Sequence, residues 1–129
     1  MPKPKILLID DEADVLNILA NLMDTAGYDS ESVMNGPDAI AKIKEDSFDL
    51  VISDLRMDPV SGIEVLEASR RLRPSVPFVL LTAYASDETR QEARKLGVYA
   101  YLTKPFRMSV LLGTVQRALA GAGATATPE

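Results

Sequence analysis

Leu50-Val51-Ile52-Ser53, followed at once by Asp54, decides the reading of this chain. Three branched or bulky apolar residues and a small one, cut off by an acid, describe a short strand with no solvated face. A strand covered on both sides is typical of a parallel sheet with helices above and below. Working outward, the other strand candidates are Lys5 to Ile9, Asp29 to Val33, Phe78 to Leu81 and Ala100 to Leu102, and three of the five are nearly all apolar. Each of the five is followed by a longer stretch with apolar residues three or four apart, the spacing of a helix.

In the first such stretch Val15, Ile18, Leu19, Leu22 and Met23 are expected to share the buried face, with Gly27 as the stop. The second starts at Gly36-Pro37 and buries Ile40 and Ile43. The third runs from about Ser61 to Leu72 with Ile63, Leu66 and Leu72 inward, and ends before Pro74. The fourth, Ser86 to Leu96 and closed by Gly97, is rich in charge and is expected to be the most loosely held. The fifth runs from Met108 to about Leu119 with Leu111, Leu112, Val115 and Leu119 toward the sheet. Five βα units predict an α/β, doubly wound five-stranded parallel sheet with five helices, in the flavodoxin-like strand order 2-1-3-4-5.

At 129 residues the chain is long enough for one core and short for two. Residues 1–120 are expected to form the domain, and 121–129, which lack large apolar side chains, a flexible tail or linker. A net charge of −5 argues against direct nucleic-acid binding. The absence of cysteine removes disulfides, thiolate nucleophiles and zinc–cysteine sites. The absence of histidine removes the usual acid–base residue, so phosphoryl chemistry in this chain must use carboxylates. No membrane-length apolar run occurs, and a cytoplasmic location is expected.

Ligands of open parallel sheets bind beyond the carboxyl ends of the strands. Asp10, Asp11 and Glu12 follow the first strand, Asp54 the third, Thr82 the fourth, and Thr103, Lys104 and Pro105 the fifth. Crowded carboxylates repel, and a hard divalent cation offsets that repulsion. Mg²⁺ is the expected ion, since it is commonly held by one or two carboxylates together with phosphate oxygens. Lys104 supplies a point charge for a phosphate oxygen. The combination predicts phosphoryl transfer with an aspartate nucleophile, and Asp54, at the end of the central strand, is best placed to be it. Taken singly, each residue has a plainer role. The acid triplet caps a helix, Asp54 makes a turn, Thr82 is a turn hydroxyl, Lys104 is a surface amine and Tyr101 is a strand aromatic. Together they would need independent accidents to land on one edge in this order.

From residue 5 to residue 119 the sequence resembles the response-regulator receiver family. The resemblance is carried by Ile-Leu-Leu-Ile-Asp-Asp-Glu at 6–12, Asp-Leu-Val-Ile-Ser-Asp-Leu-Arg-Met at 49–57, Leu-Leu-Thr-Ala-Tyr at 80–84 and Tyr-Leu-Thr-Lys-Pro-Phe at 101–106. It implies that Asp54 is the phosphoacceptor, charged by a sensor histidine kinase, a phosphotransfer protein or a small acyl phosphate. It further implies that Asp10 and Asp11 are the acid pair, with Asp11 the direct Mg²⁺ ligand and Arg56 ligating through its backbone carbonyl. Lys104 would pair with the phosphoryl group, Thr82 would swing its hydroxyl toward it, and the Tyr101 ring would turn inward as Thr82 moves. The Lys104–Pro105 bond is expected to be cis. The readout face toward an output domain or downstream protein would be helix four, strand five and helix five, on a monomer or weak dimer.

Two positions depart from the family pattern. The proline of Met57-Asp58-Pro59-Val60-Ser61-Gly62 falls one place late, and Ala100 stands where an acid is frequent. The alternative is an aspartate-nucleophile phosphatase of the haloacid-dehalogenase type. That chemistry needs an acid two residues after the nucleophile, where this chain has Arg56. A flavodoxin-like cofactor carrier would need a Ser/Thr/Gly phosphate loop after the first strand, where this chain has acids. The expected behaviour is therefore that of a switch, modified once per signal, and not of a turnover enzyme.

Overall fold

The computed structural model describes residues 3–121. Along the chain lie β1 (Lys5–Ile9), α1 (Ala13–Thr25), β2 (Asp29–Val33), α2 (Gly36–Glu45), β3 (Leu50–Asp54), α3 (Gly62–Leu72), β4 (Phe78–Thr82), α4 (Asp87–Lys95), β5 (Ala100–Thr103) and α5 (Met108–Ala120). The strands form one sheet in the order β2-β1-β3-β4-β5, and every pairing is parallel. The expected architecture and strand order are therefore observed. Of the expected tail, residues 122–129 lie outside the described residues.

Strand parity divides the core in two, because successive side chains point to opposite faces. Ile6, Leu8, Leu50, Ile52, Val79 and Leu81 face one layer, packed by Leu16, Leu19 and Met23 of α1 and Leu111, Val115 and Ala118 of α5. Leu7, Ile9, Val51, Phe78 and Leu80 face the other, packed by Ala39 and Ile43 of α2, Ile63, Val65 and Leu66 of α3 and Ala93 of α4. Burial on both faces is what the apolar strands require.

Helix boundaries follow local chemistry. Asn35, Ser61 and Ser86 accept from backbone N–H groups of the first turns of α2, α3 and α4, and Ser61 with Glu64 closes a reciprocal capping box. Gly27 and Gly97, the expected stops, adopt φ of 92° and 83°, which a residue with a Cβ resists. Arg73, the C-cap of α3, reaches across to α2: its Nε donates to the Ile43 carbonyl at 3.1 Å and an Nη to that of Lys44 at 3.2 Å. These carbonyls belong to the last turn of α2, which lacks intrahelical partners. Arg73→Ala is expected to lower stability by about 1 kcal/mol in urea unfolding, and an unchanged midpoint would show that water replaces the guanidinium without loss.

Two readings need correction. Ile18 is 53% exposed, and in the buried stripe of α1 Leu16 takes its place beside the expected Leu19 and Met23, with Val15 and Leu22 packed part-buried against the same layer. At about 100° per residue, Ile18 lies roughly 130° round from the centre of that stripe. In addition, β3, β4 and β5 each run one residue beyond their apolar runs and take in Asp54, Thr82 and Thr103.

Candidate functional site

Register gathers the site. Ile9 pairs with Ser53, Asp54 with Leu81, and Thr82 with Thr103, so Asp10, Asp54, Thr82 and Lys104 emerge side by side at the carboxyl edge of four adjacent strands. One carboxylate oxygen from each of Asp10, Asp11 and Asp54 lies within 4.8 Å of the others. Lys104 Nζ donates to Asp54 Oδ1 at 3.2 Å and stands 3.7 Å from Asp10 Oδ2. The Lys104–Pro105 bond is cis, as expected, and so is Asp58–Pro59 in the loop where the proline is displaced.

Asp10 is buried, at 1% exposure. Its Oδ1 accepts from the Glu12 N–H at 2.9 Å, while Oδ2 accepts no hydrogen bond. Burial pushes this carboxyl up to about 6; the Glu12 N–H opposes the rise, the Asp54 charge adds to it and Lys104 opposes it. Burial also raises Asp54, against the pull of Lys104. Helix capping does not account for the triplet, because Glu12, at the N-cap of α1, makes no side-chain cap bond.

Thr82 is fully buried, and its hydroxyl accepts from the Tyr84 N–H at 2.9 Å, which ties the end of β4 to the β4–α4 loop. Arg56 is exposed, and its guanidinium carbon lies 4.7 Å from the Tyr84 ring centroid, so the two long side chains stack beside the site. Tyr101 is buried at 5% exposure, more deeply than an ordinary half-buried strand aromatic, and its hydroxyl lies 2.7 Å from Thr89 Oγ1 on α4.

Two residues escaped the sequence reading. Thr89 was absorbed into a charged helix, although its spacing from Ser86 is that of an N-cap pair. Gly62 figures there only as the last residue of the run that follows Asp54. A Cβ there would overlap the Asp54 carbonyl oxygen, and the Gly62 N–H donates to the Leu55 carbonyl at 2.9 Å. Only glycine lets α3 start this close behind the acid.

Three convergent carboxylates, one with a buried oxygen that lacks a hydrogen-bond partner, are the donor set a hard divalent cation takes. The residues present thus fit a candidate metal site of oxygen ligands, with one amine alongside.

Comparison with known proteins agrees with this geometry. The family described as response regulator receiver domain matches residues 6–116. The transcriptional regulatory protein ZraR of Salmonella typhimurium is 39% identical over 118 residues, covering 92% of this chain and 27% of that protein. The regulatory protein AtoC of Escherichia coli is 36% identical over 115 residues, covering 89% of this chain and 25% of the relative. The chain thus spans about a quarter of the length of the curated relatives it matches. Among solved structures, a CheY-like receiver domain protein from Methanospirillum hungatei superposes with a TM-score of 0.91 at 28% identity, covering 94% of this chain and 97% of the other. The chemotaxis response regulator CheY4 of Vibrio cholerae superposes at 0.83 with 34% identity, covering 91% and 99%. Fold, acid cluster and sequence likeness converge: this chain belongs to the response regulator receiver domain family.

Proposed function

We propose that Asp54 is the phosphoacceptor of a cytoplasmic signalling switch and that a Mg²⁺ ion held by Asp10, Asp11 and Asp54, with the Arg56 backbone carbonyl, supports the transfer. The observation that carries this reading is the gathering of three carboxylates within 4.8 Å, with Lys104 Nζ hydrogen-bonded to Asp54 at 3.2 Å and ion-paired with Asp10 at 3.7 Å. In the transfer an Asp54 carboxylate oxygen attacks phosphorus. The bond from phosphorus to the donor's imidazole nitrogen, or to an acyl oxygen, breaks, and its electron pair leaves with the donor. Lys104 holds a phosphoryl oxygen by its charge, and the Thr82 hydroxyl leaves the Tyr84 N–H to meet another. When bound, the ion supplies positive charge that offsets the crowding of carboxylates and phosphoryl oxygens.

The donor is a histidine kinase or phosphotransfer protein, as family membership implies, and the readout runs through α4, β5 and α5 to an output domain or downstream protein. In support, α4 buries Ala93 alone among its residues, as suits an element of low local stability. Relatives about four times as long, two of them named as regulatory proteins, fit a receiver that serves a larger chain. Among the described residues no helix is long and apolar enough to cross a membrane. The test is labelling with acetyl phosphate followed by peptide mapping of the modified residue. A label on Asp54 is expected, and a label elsewhere removes the reading.

The stacked Arg56–Tyr84 pair is placed to limit the approach of water to the aspartyl phosphate. Arg56→Ala and Tyr84→Ala are each expected to speed its decay roughly two- to fivefold, the factor that ~0.5–1 kcal/mol of stacking represents. Decay is followed by phosphate release after the donor is removed, and identical rates in both variants and wild type would discard this role.

A further inference from the structure

The family pattern couples two movements, Thr82 toward the phosphoryl group and the switch aromatic inward. Here they are out of step. Tyr101 is already inward at 5% exposure, while the Thr82 hydroxyl is still engaged by the Tyr84 N–H. Something besides Thr82 holds the ring.

The hydrogen bonds around Tyr101 identify it. Its hydroxyl lies 2.7 Å from Thr89 Oγ1, in the first turn of α4. Thr89 Oγ1 in turn donates to the Ser86 carbonyl at 3.3 Å and lies 2.9 Å from Ser86 Oγ, which accepts from the Thr89 N–H at 3.1 Å. A threonine hydroxyl has one proton and two lone pairs. With the proton on the Ser86 carbonyl, both lone pairs are acceptors, one for the Ser86 hydroxyl and one for the Tyr101 phenol. With the proton toward the phenol instead, Thr89 Oγ1 is the donor; in either arrangement it is the hydrogen-bond partner of the buried Tyr101 hydroxyl. Arg90 closes the ring from outside, its guanidinium carbon 4.5 Å from the centroid. Among the residues of α4 only Ala93 is buried, and the first turn meets β5 through this polar latch.

We infer that Thr89, backed by Ser86, is a positioning residue that holds Tyr101 inward independently of Thr82, so that the first turn of α4 and the ring move as one body. The inference rests on the reading of Tyr101 as the switch aromatic of a domain phosphorylated at Asp54. It specifies the regulation of that site: the ring's starting position is set from α4, and phosphorylation acts on a switch already half thrown.

The test is ¹⁹F NMR of the full chain labelled with 3-fluorotyrosine. The chain has four tyrosines, and Tyr101→Phe assigns the resonance of interest. Thr89→Val keeps the shape and removes the hydroxyl partner, leaving a buried phenol unpaired. The ring equilibrium is expected to move outward by roughly tenfold, seen as a Tyr101 resonance with a larger H₂O–D₂O solvent shift. Thr89→Ser, which keeps the hydroxyl, is expected to restore the wild-type position, and an unmoved Tyr28 resonance shows that the fold is intact. A Tyr101 resonance indifferent to Thr89→Val overturns the inference, as does Thr89→Ser behaving like Thr89→Val. Acetyl phosphate labelling of the same wild-type sample tests the phosphoacceptor separately, so failure of the latch and failure of the Asp54 reading give different results.

Discussion

Asp54→Asn is expected to abolish the mass increase that acetyl phosphate and Mg²⁺ produce in the wild-type chain, and chelation of the metal is expected to do the same to wild type. The reasons are positional. Asp54 ends β3 between strands that deliver Asp10 on one side and Thr82 and Lys104 on the other. Its Oδ1 is bonded to Lys104, while the amine stands farther from Asp10. Asparagine keeps the shape and loses the anionic oxygen, so no nucleophile remains at that spot. Unfolding is no rival explanation, because burial already disfavours the charge on Asp54, and a neutral amide relieves it. Thermal unfolding of the variant is expected at or above the wild-type midpoint. Labelling that persists in Asp54→Asn, mapped to the exposed Asp11, would move the nucleophile to another residue.

Much of this was legible in the sequence, for identifiable reasons. Strands covered on both faces are nearly pure apolar runs, so β1, β3 and β4 announce themselves. Their ends are harder. Asp54, Thr82 and Thr103 are polar, and polarity reads as the end of a strand, yet the ladder continues through the backbone, which is blind to side chains. The placement of Ile18 failed because α1 carries apolar residues on more than half its circumference, so periodicity alone does not say which part meets the sheet. At the site, the identities of the acids, the lysine and the threonine could be read from strand ends because topology forces those ends together. Thr89 could not, since its partner Tyr101 is 12 residues away on a different element and only the tertiary packing of α4 introduces them. Gly62 was legible as the place where the loop after Asp54 meets the third helix, but the closeness of the Asp54 carbonyl behind it was not.

The same crowding that prepares the site for a cation should weaken the metal-free fold, and Asp10→Asn is the variant that shows it. The Asp10 carboxyl is raised from an ordinary value of 3.8 to about 6, first by burial, and its Oδ2 lacks a hydrogen-bond partner. A carboxyl whose folded value lies above its unfolded one binds protons more tightly in the fold, so its contribution to stability falls as pH rises between those two values. Below about pH 4 the group is neutral in both states and carries no penalty. Well above pH 6 it is charged in both, and the full penalty stands, on the order of 3 kcal/mol. Asp54 and Asp11 face it with like charge and Lys104 with opposite charge, and all are still present in the variant. The difference between variant and wild type therefore isolates Asp10. In chelator at pH 7, Asp10→Asn is expected to be more stable than wild type by about 1–3 kcal/mol in urea unfolding, and the gain is expected to shrink toward zero near pH 4. Addition of Mg²⁺ is expected to raise the wild-type midpoint and to raise that of the variant much less, because stabilisation by a ligand tracks its affinity for the folded state. A variant less stable than wild type in chelator at pH 7 would mean that the Asp10 charge is held by favourable partners in the fold, and the case for a site strained toward metal would lose its footing.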